Sequence, residues 1–403
     1  MFREHEPGII VRVGSVAVVG CGTAGAAAAL LVARAGHDVT VLERVAEPKP
    51  IGAGIIVQPT GQAVLARLGL LERITARASR LDRLYLRTSG GRTLVDLHYA
   101  ELDPRWCGLG VHRGVLFAAL HDAVRDEPRV ALHTGCGVRA IRRDGARLYA
   151  DDRGPFDIVI VADGTLSQLR DDHVRRDVAY PWGALWFVTE DRSGAFGREL
   201  YQVASGARQL YGMLPTGLGP SGDAPNVSLF WSMRANRLDA WRASDLEQWK
   251  THVRAHDSRA AGVLDAIRAP EQLTFARYRD VTMRPWHDRG VVYIGDAAHA
   301  TSPQLGQGAN LALADATALA DAIAAAPTLA AALPRYSRAR RRHIAHYQAM
   351  TRLLTPLFQS DSRALGLVRD VAFPLANAIG PLRREMVRTM CGVSTGYFRT
   401  LPL

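Results

Sequence analysis

Apolar and polar positions along this chain fall into blocks that predict a definite order of strands and helices. Residues 15–20 form a short apolar run, 23–35 are small, apolar and helix-forming, and 38–42 are apolar again and end at Glu43. Strand, glycine turn, helix and second strand make a βαβ unit. Residues 60–69 and 113–126 read as helices, 130–141 as extended chain and 157–162 as a third buried strand. From about 179 the texture changes. Strand-like runs at 184–188, 199–204, 209–214 and 227–233 are separated by Gly, Pro and Ser turns, which predicts a mainly antiparallel sheet. Residues 246–267 read as one helix, 291–295 return to the first sheet, and from 309 onward the chain is almost wholly helical.

No internal repeat or low-complexity linker separates these parts, so the lobes are expected to interleave. The expected fold is α/β. A Rossmann-like domain takes residues 12–80, 105–178 and 286–330, an antiparallel-sheet domain takes 81–104 and 179–285, and a helical region takes 331–403.

Composition adds constraints. The chain has 403 residues, 48% hydrophobic and 22% charged, enough apolar material for a large core. Its net charge of +11 is carried almost entirely by arginine; Lys49 and Lys250 are the only lysines. The basic residues are scattered, which argues against a nucleic-acid partner; the dense run at 335–343 reads as a solvated helix face. The four cysteines have neither metal-ligand nor CxxC spacing, so no metal is expected and a reducing cytoplasm fits. Residues 311–333 are apolar but contain Asp315, Asp321 and Pro327, a poor membrane span. The apolar stretch 16–35 has the look of a signal peptide, but its glycine spacing gives a better account. Oligomeric state is left open.

That spacing is Gly20-Cys21-Gly22-Thr23-Ala24-Gly25 between a strand and a helix. The first glycine permits a tight turn, the second a close pyrophosphate, the third close helix–strand packing. Helix N–H groups and the dipole then face the phosphates. Glu43 ends the second strand where a ribose-hydroxyl acceptor is needed. Near the other end, Gly295-Asp296 follows a buried strand and leads through Ser302-Pro303-Gln304-Leu305-Gly306-Gln307-Gly308-Ala309-Asn310 into a long helix. A carboxylate there can hold a ribityl hydroxyl, and the helix N-terminus can stabilise negative charge on a reduced flavin. Between the two, Asp163-Gly164 again follows a buried strand.

These three segments resemble the fingerprints of the para-hydroxybenzoate hydroxylase-like flavin monooxygenases, in the same order. The stretch Ile51-Gly52-Ala53-Gly54-Ile55 resembles the loop beside the flavin in that family, and Arg113 resembles its FAD-contacting arginine. The resemblance implies a GR2-type fold, non-covalent FAD, and transient binding of NADH or NADPH. It also implies hydroxylation of an aromatic or related small molecule with O2, through a flavin C4a-hydroperoxide. From motifs and resemblance together, the expected cofactor contacts are Gly20, Gly22, Thr23, Ala24, Gly25, Glu43, Arg44, Arg113, Val138, Asp163, Gly295, Asp296, Pro303, Gly306, Gly308, Ala309 and Asn310. His299 reads as part of the motif rather than as a base.

No catalytic side chain is assigned. Trp186, Tyr201, Tyr211 and Trp231 are the candidate substrate walls, with Pro303 beside the reactive face, because aromatic strands can stack on a ring. Tyr211 is the first choice, since Gly212 and Pro215 mark a bend. Competing readings are a reductase on the same fold, a halogenase, which needs a tunnel lysine and a WxWxIP segment that this sequence lacks, and a non-catalytic basic FAD module.

Overall fold

A computed structural model describes residues 14–50, 52–170, 172–396 and 399–401. Ile51, named above beside the flavin loop, lies outside the described residues.

Runs of β-branched residues build the first sheet. Its strand order is His287–Asp288, Val291–Tyr293, Ile158–Val161, Ser15–Val19, Asp38–Leu42, Val130–His133. Every pairing is parallel except the outermost His287–Asp288 edge. Ile158–Val161 is buried throughout, as an uninterrupted apolar run in a parallel sheet should be. The Ala-rich helix Thr23–Arg34 packs on the helices Arg113–Asp126 and Gly308–Ala325. A meander of Ile141–Asp144, Arg147–Ala150 and Arg153–Phe156 also adds to this core.

The second sheet runs Thr274–Met283, Val174–Glu190, Pro225–Arg234, Gln209–Leu218, Glu199–Ser205, Arg83–Thr88, Thr93–His98. It is antiparallel except where Glu199–Ser205 lies parallel to Arg83–Thr88. A small sheet of Gly54–Val57, Gly108–His112 and Ser79–Leu81 links the two. There Gly110 is needed because a Cβ would stand 2.0 Å from the Pro215 carbonyl oxygen.

Side-chain alternation gives the second sheet two covered faces. Leu185, Tyr201, Tyr211, Leu229 and Trp231 pack against Trp249 and Val253 of the helix Leu246–His256. The other face is overlaid by the helices Leu329–Phe358, Arg363–Ala378 and Gly380–Met390.

Three expectations differ from the structure. Residues 246–267 are not one helix: it ends at His256, where Asp257 accepts the Arg259 N–H at 2.9 Å and starts a new turn. A short Asp side chain competes with the backbone ladder in this way. Of 130–141, only Val130–His133 is a strand of the sheet, because Gly135 turns the chain with φ +69°. The basic run 335–343 is not a solvated face throughout, since Tyr336, Arg340 and His343 are buried.

Candidate FAD site and substrate cavity

The parallel sheet delivers its loops to one edge. Gly20 turns there with φ +96°, and a Cβ on Gly25 would lie 1.9 Å from the Gly20 carbonyl oxygen. Nothing stands within 4 Å of where a Gly22 Cβ would be. The helix Thr23–Arg34 begins here without a side-chain cap or a first-turn acid, so its N–H groups are free for an anion. Glu43 accepts the Cys21 and Val45 N–H groups at 2.8 and 2.9 Å, which fixes its carboxylate beside the glycine turn. Burial, reinforced by the Glu43 charge, pushes the Cys21 thiol up to about 12; it is a small filler, not a nucleophile.

Asp163-Gly164 and Gly295-Asp296 lie side by side. Thr165 Oγ1 donates to Asp296 at 2.9 Å. Arg170 straps the two segments, donating to the carbonyls of Thr165 and Ala297 at 2.7 Å each and to Asp177 at 3.0 Å. Asp163 Oδ1 is buried with no partner among the described residues. Burial pushes its carboxyl above the ordinary range, against the pull of Ser167, Arg170 and Arg44.

Behind them stands a triad that sequence reading missed. Asp315 receives His299 Nε2 at 2.6 Å, Arg340 Nε at 2.7 Å and the Gly295 N–H at 2.8 Å, all buried. Burial alone would raise the Asp315 carboxyl, but His299, Arg340 and the Gly295 N–H hold it well below the usual carboxylate range. His299 is thus committed to a clamp that fixes the Gly295 turn. Asn310 is also committed: its amide accepts Gln58 N–H at 2.8 Å and donates to the Ile56 and Gly306 carbonyls at 3.0 and 3.1 Å. Its side chain holds the cofactor loop from behind, while its backbone N–H belongs to the uncapped first turn of the helix Gly308–Ala325.

A cavity of about 830 Å³ opens between the two sheets. Gly22, Thr23, Ala24, Arg113, Asp296, Pro303, Gly306, Gly308 and Ala309 line it, with Gly164 and Thr165. Gly20, Gly25, Glu43, Asp163 and Gly295 are not among its lining residues. Arg44 is exposed beside Gly137, and Val138 packs against the core; neither is among the residues lining the cavity. The helix Gly308–Ala325 starts at the cavity with no cap and no first-turn acid.

The aromatic candidates divide. Trp186 lines the cavity and meets Phe230 with ring centroids 5.3 Å apart. Tyr201, Tyr211 and Trp231 do not: they sit on the opposite face, with Tyr211 and Trp231 stacked at 5.6 Å. Phe230, adjacent to Trp231, is the ring that faces the cavity, as strand alternation requires. A Cβ on Gly212 would stand 2.5 Å from the Phe230 ring, so this glycine makes room for a ring rather than a bend. The C-terminal helices from Arg335 were expected to pack over the substrate lobe, but their cavity-lining residues were not named. His346, Met350, Leu354 and Phe358 recur every four residues and line the cavity from one helix face; that spacing was readable in the sequence.

The donor set fits FAD. It offers two uncapped helix N-termini for phosphate and the pyrimidine end of a flavin, the Glu43 and Asp296 carboxylates for sugar hydroxyls, and an orphaned Asp163 oxygen. Open cradles at Gly22, Gly164, Gly306 and Gly308 admit a flat ligand close to backbone. The FAD binding domain family matches residues 14–351. The chain belongs to this family. It is an FAD-dependent monooxygenase of the para-hydroxybenzoate hydroxylase-like group. A probable 2-heptyl-3-hydroxy-4(1H)-quinolone synthase, AqdB2 of Rhodococcus erythropolis, is 30% identical over 95% of this flavoenzyme and 98% of its own length. The 6-methylpretetramide 4-monooxygenase of Streptomyces rimosus is 29% identical over 75% of the chain and 73% of its own length. Among solved structures, PqsL, a probable FAD-dependent monooxygenase from Pseudomonas aeruginosa, superposes with a TM-score of 0.76 at 22% identity, covering 89% of this chain and 99% of PqsL. Among the described residues of the flavoenzyme, no helix is long and apolar enough to cross a membrane.

Proposed function

We propose that this flavoenzyme hydroxylates an aromatic ring carrying an apolar substituent. NADH or NADPH is the reductant and O2 the oxygen source. A ring C–H becomes C–OH, the second oxygen atom leaves as water, and the nicotinamide is oxidised. Bound FAD supplies the redox chemistry; the chain supplies position and environment.

The observation that carries the substrate reading is the cavity wall beyond the cofactor loop. Trp186 and Phe230 offer flat faces, and Leu84, Leu97, Leu200 and Phe373 extend an apolar surface past them. Polar groups interrupt it, among them Gln202, Ser232, Arg277, Tyr278, His346 and Gln359. Gln359 Oε1 is buried without a partner among the described residues and can accept a substrate N–H or O–H. His346 contacts the Thr389 hydroxyl at 3.3 Å. Burial lowers the His346 pKa, with Glu385 opposing, so its imidazole is neutral near pH 7 and can take a proton from a ring hydroxyl. Gln307 of the cofactor loop donates to the Met390 carbonyl at 2.9 Å, which supports placing this polar group beside the flavin. The quinolone named for AqdB2 bears a heptyl chain, a compound of the same general shape.

The test is a panel of hydroxylated aromatics with and without alkyl chains, scored for faster NAD(P)H oxidation and a mass gain of one oxygen atom. Alkylated members should have the lower KM. Oxidation without oxygen incorporation across the panel would favour the reductase reading; indifference to the alkyl chain would remove the apolar-substituent part.

A further inference from the structure

The helix Arg363–Ala378 is apolar on two sides. Its inner side gives Phe373 and Ala376 to the cavity. Its outer side presents Leu367, Val371 and Leu375, which are 69, 60 and 59% exposed, with Val368 next to them and Ile379 following the helix. The spacing of four residues makes this a stripe, not scattered exposure. The stripe runs to the cavity mouth, where Leu353 and Leu382 are at once exposed and cavity-lining.

Charge around the stripe is one-sided. Arg363 and Arg384 are exposed at its two ends, and Arg92 reaches the Asp370 carbonyl at its flank. None of the three has an acidic partner among the described residues. Each nearby acid is already neutralised: Asp361 by Arg208 and Arg234, Asp370 by Arg369, Glu101 by Arg383. An apolar stripe with a net basic rim complements an anionic, not a neutral, apolar surface.

We propose that this stripe docks the protein on an anionic lipid bilayer, with the cavity mouth facing the lipid. A second copy of the chain would meet the same arginines with its own and would cover the mouth. A bilayer satisfies both the charge and the apolar area. It also delivers a lipid-dissolved compound to the cavity without passage through water. That consequence rests on the substrate reading above; the docking itself does not.

The experiment is flotation of the FAD-loaded protein with vesicles of phosphatidylcholine alone or mixed with phosphatidylglycerol. Wild-type protein should float with the mixed vesicles, less with neutral ones, and less again in about 0.5 M salt. V371E/L375E should lower bound protein at least about tenfold, and each of R363E and R384E about fivefold, all with unchanged flavin absorbance. The arginine variants reverse one exposed surface charge each, so they test docking even if the stripe variant folds poorly. No flotation at either composition, or flotation unaffected by the arginine variants, would overturn the proposal. A dimer in sedimentation that V371E/L375E dissociates would overturn it in favour of a second copy. Flotation that persists while the substrate panel fails would leave docking intact and reject only the substrate reading.

Discussion

At the scale of single residues, neighbours in one strand have opposite jobs. Phe230 and Trp231 are adjacent, yet one faces the cavity and the other a helix. Two conservative variants separate these roles. Trp186→Phe should keep FAD and raise the apparent substrate KM, or uncouple NAD(P)H oxidation from product. Tyr211→Phe should leave kinetics and coupling unchanged. The Tyr211 hydroxyl is buried without a partner among the described residues, so its removal should cost no stability and can add up to about 1 kcal/mol. Equal kinetic effects of the two changes would contradict the face assignment. Asp296→Ala removes a carboxylate from the cavity wall without touching the Asp315 clamp. Fluorescence titration should show FAD affinity falling about tenfold or more, while the apoprotein melts at its wild-type temperature.

At the scale of elements, the clamp behind the cofactor loop governs acid stability. Asp315 has a depressed pKa in the folded state. Its stabilisation is therefore present above the unfolded carboxylate value of about 4 and is lost as pH falls below it toward the folded value. Asp315→Asn should destabilise the protein by about 3–5 kcal/mol at neutral pH, because Arg340 is left buried and unpaired. The gap between variant and wild type should narrow as pH falls through about 4. Melting curves from pH 7 to 3 measure it; a constant gap would show that the carboxylate charge is not what holds the turn. The motif glycines and the strand that precedes each were legible because they obey local rules: Gly20 needs φ +96° and Gly25 has no room for a methyl. The face of the second sheet was not legible. Alternation assigns Tyr211 and Trp231 to one side and Phe230 to the other, but both sides are apolar because both are covered. Asp315 and Arg340 were hidden for a related reason. A charge inside an apolar helix pattern looks like a solvent position until its partner, 25 residues on, is known.

At the scale of the molecule, a cofactor that bridges loops from three separated stretches of chain must be coupled to folding. FAD at 100 times its dissociation constant should add about 2.7 kcal/mol to stability, and the melting temperature should rise with FAD concentration until saturation. The released flavin should be intact FAD after acid treatment; flavin that stays with the denatured chain would contradict non-covalent binding.

The same threading sets an order on biosynthesis. Ile158–Val161 pairs on one side with Ser15–Val19, made long before it, and on the other with Val291–Tyr293, made long after. A nascent chain that has emerged as far as residue 290 therefore carries a bare apolar strand edge where its last partner will lie. Such edges invite pairing with other chains. The antiparallel sheet, whose strands lie mostly between these two moments, has time to form first. Loading of the flavin then has to wait for the Gly295 turn and the loop that follows it, and a ribosome stalled before that turn would hold a chain prone to aggregate and unable to bind its cofactor.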